Sequence, residues 1–123
     1  MPVSFQGLVP YVFVQSVSAS IEFYSKLGFT AARTFGRNEG AEVTWAWLQC
    51  GDAALMIERA SHPIVASQQA FMLVLYVADV SAVHGELASA GLAVGTIHRP
   101  FHAPDGLFRL SDPDGFELTI RQQ

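Results

Sequence analysis

The chain has 123 residues, of which 50% are hydrophobic and only 15% charged, with a formal net charge of −4 and a mean hydropathy of +0.29. Soluble proteins average roughly 25% charged residues, and a chain this short has little interior for the apolar surplus, which points to a buried subunit interface, an apolar binding cavity, or both. Eleven acidic against seven basic residues, with no basic run, exclude a protein that grips nucleic-acid phosphates, and no stretch approaches the roughly 18–20 apolar residues of a membrane helix.

The opening residues Met1-Pro2-Val3-Ser4-Phe5-Gln6 hold neither a basic region nor an apolar signal core, so secretion is not expected. An apolar run of strand length covers 8–14. Ser18 then reads as the N-cap of a helix whose apolar stripe is Ile21, Phe23, Tyr24 and Leu27, and Gly28 ends it. The charged segment Gly36-Arg37-Asn38-Glu39-Gly40-Ala41-Glu42 reads as a solvated loop at the rim of a groove. Strand runs over 43–50 and 53–58 follow, joined by Gly51-Asp52. Cys50, the single cysteine, rules out an intrachain disulfide and implies a reducing, cytoplasmic setting.

The second half begins with a strand run over 71–77. A helix follows, with Val80, Val83, Leu87 and Ala90 as its stripe, Asp79 or Ser81 as its cap, Gly91 as its stop and His84 on its solvent side. His98 and His102 flank Arg99-Pro100-Phe101 in a loop, which suits a cover over a groove better than zinc. Runs over 106–111 and 116–121 complete the chain. Laying Val14-Gln15-Ser16-Val17-Ser18-Ala19 over Val77-Ala78-Asp79-Val80-Ser81-Ala82 also puts Gly28 on Gly91 and Phe29 on Leu92. Strand end, cap and helix stop coincide, so the chain reads as two βαβββ modules, 1–60 and 61–123, of α+β class.

The Gly51-Asp52 hairpin allows a finer reading. If Cys50 opposes Ala53, then Trp45, Trp47, Gln49, Ala54, Met56 and Glu58 share one face, and Ala46, Leu48, Cys50, Leu55 and Ile57 share the other. The second set is plain core and makes Cys50 an inert packed thiol. The first mixes indoles, a thioether, an amide and a carboxylate, which suits a cavity wall. Alternation adds Tyr11 and Phe13 to a face with Val9, and Val74 and Tyr76 to one with Met72.

Two motifs resemble the vicinal oxygen chelate superfamily of glyoxalase I, bleomycin-resistance proteins and extradiol dioxygenases. Ile21-Glu22-Phe23-Tyr24-Ser25-Lys26-Leu27-Gly28-Phe29 is similar to its FYxxLGF helix end, and Ser111-Asp112-Pro113-Asp114-Gly115-Phe116-Glu117-Leu118 to its DPDGxxxxL hairpin. Both motifs read as structural. The resemblance implies tandem modules forming a curved, barrel-like, mostly antiparallel sheet with two helices outside. It places the four metal-ligand positions of the family at Val9, Glu58, Met72 and Thr119, of which only Glu58 suits a hard cation. It therefore implies the binding-only, bleomycin-resistance branch: a cytoplasmic homodimer with no metal and no cofactor, which traps a flat aromatic natural product, without chemistry, in an aromatic groove at the dimer interface. The net charge of −4 suits a cationic ligand. The expected ligand contacts are Tyr11, Phe13, Trp45, Trp47, Met56, Glu58, Met72, Tyr76, Phe101, His102 and Phe108. The alternative is a glyoxalase-like metal-dependent lyase, thiol transferase or dioxygenase whose atypical metal site recruits His98 or His102.

Overall fold

The computed structural model describes residues 3–36 and 42–123. The chain divides into two compact units, Met1–Ile64 and Val65–Gln123. The class is α+β: the described residues form two helices and seven strands in two mixed sheets. No helix among the described residues is long and apolar enough to cross a membrane.

The first unit runs β1 (Tyr11–Val14), α1 (Val17–Lys26), β2 (Thr30–Gly36), β3 (Val43–Cys50) and β4 (Ala53–Arg59). Its sheet has the order β1-β4-β3-β2, with β1 parallel to β4 and the other pairs antiparallel. α1 packs on β2, β3 and β4. Val12, Val14, Ala46, Leu48, Leu55 and Ile57 are buried together with Val17 and Tyr24 of the helix. The N-cap is Ser16 rather than Ser18: Ser16 is extended, and its hydroxyl accepts the Ala19 N–H at 3.1 Å. Val17 is fully buried, so the helix must begin there for its first side chain to reach the core. At the far end Gly28 takes φ +100°, and Phe29 returns its N–H to the Tyr24 carbonyl at 3.0 Å. The Phe29 ring then meets Tyr24 edge to face at 5.9 Å. The first resemblance motif is thus a helix stop and a core plug.

The second unit opens with a 3-10 turn (Ala66–Gln68), then β5 (Met72–Val77), α2 (Val80–Ser89), β6 (Leu107–Ser111) and β7 (Glu117–Gln122). Its sheet has the order β5-β7-β6, parallel between β5 and β7 and antiparallel between β6 and β7. Asp79 caps α2 by accepting the Ala82 N–H at 3.1 Å. The strand expected after α2 is incomplete. Gly95 and His98 donate to the carbonyls of Arg109 and Leu107, but the Val94 N–H turns back to Leu92 at 3.1 Å and bends the segment out of the ladder. His98 and Leu107 form only an isolated bridge. His84 is half-buried rather than solvated: its Nε2 lies 2.9 Å from the Gly95 carbonyl, which makes that nitrogen the donor, and its ring meets Phe108 edge to face.

The β6–β7 turn is the second resemblance motif. The buried Asp112 carboxylate accepts the N–H groups of Asp114 and Phe116, each at 2.9 Å, and Gly115 takes φ +82°. A Cβ on Gly115 would lie 2.4 Å from that of Ala66, whereas one on Gly91 (φ +87°) would meet nothing within 4 Å. Gly91→Ala should therefore lower the unfolding free energy by about 1–2 kcal/mol through backbone strain alone. Gly115→Ala should lower it further, through the clash. Urea unfolding of the two variants checks this, and equal losses would mean that the 66–68 turn yields freely.

Candidate functional site

In each unit one sheet face lies towards the helix and the other is left open. In the first unit the register places Trp45 opposite Glu58, Trp47 opposite Met56 and Gln49 opposite Ala54. On the other side of β4, Tyr11 opposes Met56 and Phe13 opposes Glu58. The open face therefore carries Tyr11, Phe13, Trp45, Trp47, Met56 and Glu58 together, with β4 as its axis. The pairing of Cys50 with Ala53 across the Gly51-Asp52 turn produces this arrangement. Cys50 itself lies against Gly28 at the end of α1.

β2 adds two residues that sequence reasoning missed. Phe35 opposes Trp45, and Arg33 opposes Trp47 with its guanidinium carbon 4.9 Å from the indole centroid. The Trp47 Nε1–H donates to Gln49 Oε1 at 2.6 Å, and Gln49 Nε2 donates to the Gly51 carbonyl at 2.8 Å. The polar edge of that indole is thus satisfied, and Arg33 lies over its ring. Tyr11, Phe13 and Phe35 are 45%, 50% and 60% exposed, an unusual density of aromatic surface for one sheet face.

A cavity of about 630 Å³, lined by Phe35, Thr44, Trp45, Glu58, Arg59, Ala60 and Ser61, opens beside this face. Ligand pockets span roughly 300–1,000 Å³, so it is of a size for a small organic molecule. Glu58 accepts a hydrogen bond from the Tyr11 hydroxyl. That bond, reinforced by partial desolvation and by the carboxylate charge, holds the Tyr11 phenol in its neutral form and raises its pKa above the ordinary tyrosine value. Arg59 turns to Glu42, with which it pairs at 3.6 Å. Of the expected rim loop, residues 37–41 lie outside the described residues.

In the second unit the open face presents Met72, Val74 and Tyr76 of β5, opposite Glu117, Thr119 and Arg121 of β7. Arg121 lies over the Tyr76 ring at 5.8 Å and donates from Nη2 to the His102 carbonyl at 2.7 Å. That bond ties down a loop whose Phe101 is 96% exposed. Phe108, expected among the ligand contacts, lies instead on the helix-covered face, fully buried beneath His84. Its neighbours Leu107 and Arg109 take the opposite face, which is the consequence of strand alternation in β6. The expected contacts thus fall into two sets, one on each unit, with Phe108 in neither.

The four positions that the resemblance assigns to metal ligands do not fit a divalent cation. Val9 and Met72 offer no oxygen or nitrogen, and the Thr119 hydroxyl donates to the Met72 sulfur at 3.0 Å. Among the described residues no three His, Cys, Asp or Glu side chains converge.

A family model, the Glyoxalase/Bleomycin resistance protein/Dioxygenase superfamily, matches residues 7–120. The bleomycin-binding protein of the bleomycin-producing Streptomyces verticillus, solved with copper(II)-bleomycin, is similar at a TM-score of 0.72 and 26% identity over 99% of each chain. A bleomycin-binding protein complexed with bleomycin gives 0.74 at 21% identity, over 97% of this chain and 99% of that one. A glyoxalase family protein from Enterococcus faecalis gives 0.77 at 22%, over 95% and 98%. The last two likenesses show the fold alone. No curated protein matches the chain.

The Tyr11–Glu58 bond has a measurable sign. With the folded pKa of Tyr11 above the unfolded value of about 10, its contribution to stability is fully present below that value and is lost as pH rises through the folded pKa. Glu58→Gln should bring the ionisation of Tyr11 down towards the ordinary value. An ultraviolet titration of the phenolate, compared between wild type and variant, reads this directly, and an unchanged curve would place the Tyr11 hydroxyl away from Glu58 in solution.

Proposed function

The chain belongs to the glyoxalase/bleomycin resistance protein/dioxygenase superfamily, and from that premise we propose that it is a non-catalytic sequestering protein of the bleomycin-resistance kind. It acts in the cytoplasm as a homodimer, traps a flat aromatic natural product against its exposed aromatic sheet face, and releases it unchanged. The observation that carries this reading is the open face of the first unit, where Tyr11, Phe13, Phe35, Trp45 and Trp47 stand together beside a cavity of about 630 Å³.

The physics of such a site is burial and stacking. Each aromatic contact is worth roughly 1–3 kcal/mol on burial, so two or three of them outweigh the entropic cost of association and reach micromolar affinity or better. The donor set argues for binding over metal chemistry, since one carboxylate, one hydroxyl and two apolar side chains hold no divalent cation in place. Dimerisation draws support from the apolar side chains that the sheets leave uncovered, which in a monomer would face water at a density that soluble chains avoid. The likeness to the Streptomyces verticillus protein favours ligands of that sort.

Three measurements test the reading. Bleomycin, metal-free and copper(II)-loaded, should quench the tryptophan fluorescence, and calorimetry should give micromolar or tighter binding; Trp45→Ala should weaken it about tenfold, the loss of one stacked aromatic. If neither bleomycin nor any of a panel of flat aromatic natural products binds, sequestration is the wrong reading. Sedimentation at micromolar concentration should give twice the chain mass, and a monomer would remove the dimeric part.

A further inference from the structure

The cavity beside β4 is aromatic on its walls and carries one carboxylate whose bonding is half complete. Trp45 and Phe35 are cross-strand partners on β3 and β2, and Glu58 faces Trp45 across the β3–β4 pair, so two rings and the carboxylate line the same space. One oxygen of Glu58 accepts the Tyr11 hydroxyl. Among the described residues no other hydrogen bond or ion pair reaches that carboxylate, so its second oxygen has full accepting capacity. The one cation in the lining, Arg59, is committed to Glu42 at 3.6 Å. Glu58 is only half-buried, so the cavity leaves it open to solvent and to a ligand.

Resting on the sequestration reading, we propose that Glu58 is the specificity-determining residue of this site and that its ligand is a planar organic cation with an N–H donor at its edge, such as a protonated amino-heterocycle or an aryl amidinium. The ring lies against Trp45 and Phe35, and the N–H donates to the oxygen that Tyr11 leaves open. A cation on an indole face gains from the ring quadrupole, and an N–H aimed at a carboxylate makes a charge-assisted bond of about twice the strength of a neutral one. A neutral aromatic keeps the stacking but strips water from the carboxylate oxygen without replacing its hydrogen bond, which costs it affinity. An anion meets an uncompensated like charge. A metal ion finds, among the described lining residues, one carboxylate and otherwise only the hydroxyls of Thr44 and Ser61, a poor set for a divalent cation.

The probes are 9-aminoacridine and acridine, which share a ring system, at a pH where the first is protonated and the second is not. Calorimetry with the wild-type chain should give at least about tenfold tighter binding of 9-aminoacridinium, the size of one charge-assisted hydrogen bond. Glu58→Gln should erase that preference, by weakening 9-aminoacridinium and relieving the cost that the carboxylate imposes on acridine, and retained acridine binding shows that the variant is folded. A wild-type preference near one, or a preference that survives Glu58→Gln, overturns the assignment to Glu58 while leaving the aromatic groove intact. Binding of neither probe to the wild type would count against the groove itself.

Discussion

Strand alternation beneath a single covering helix constrains both units. A strand sends successive side chains to opposite faces, and one ten-residue helix per sheet covers only one of them. In the first unit β4 joins the two pairings, parallel to β1 and antiparallel to β3. Ile57 is thereby opposed by Val12 and Ala46 beneath α1, while Glu58 is opposed by Phe13 and Trp45 on the open side. A slip of one residue in β4 would bury the carboxylate and expose the isoleucine. The identity of the core and the identity of the site are therefore one fact, fixed by the length of the turn at Gly51-Asp52.

That dependence explains what was legible in advance. The turn residues lie in sequence, the register follows from them, and the faces follow from the register, so the juxtaposition of Trp45, Trp47, Met56 and Glu58 needed no tertiary information. β2 was harder. Thr30-Ala31-Ala32-Arg33-Thr34-Phe35-Gly36 has small and polar residues throughout and is exposed at almost every position, so no apolar period marks it. Its strand state comes from pairing with β3, with register shifts along the way. Phe35 and Arg33 entered the site by that route alone.

The misplacements have local causes. Ser18 and Ser16 are both good caps by composition, and only the burial of Val17 chooses between them. Phe108 was expected among the ligand contacts with Phe101 and His102, whereas the pairing of β6 with β7 sets its direction. Once Leu107 opposes Arg121 and Phe108 opposes Ile120, the phenylalanine belongs to the core. The strand after α2 was expected from the repeat, but a repeat transmits the number of elements and not their hydrogen bonds. At Val94 the chain closes a local bond to Leu92 instead of a ladder bond.

The motifs that reveal the family and the residues that would do its work are physically separate. Tyr24, Gly28 and Phe29 stop a helix and fill space, and Asp112 ties its own turn through two backbone N–H groups. None of them faces the open side of a sheet. The scaffold can therefore persist while the side chains on the open faces change freely, and in this chain they have become mostly aromatic and aliphatic. Glu58 stands among the rings of the first unit as a charged residue. A carboxylate among aromatic rings loses hydration, and one hydrogen bond from Tyr11 offsets only part of that loss. Its half-burial leaves the remaining accepting capacity facing the cavity and solvent. On the proposed reading, a molecule that fills the cavity takes Glu58 further from solvent, so the cost of desolvating the carboxylate falls on the ligand and selects among ligands by what they offer in return.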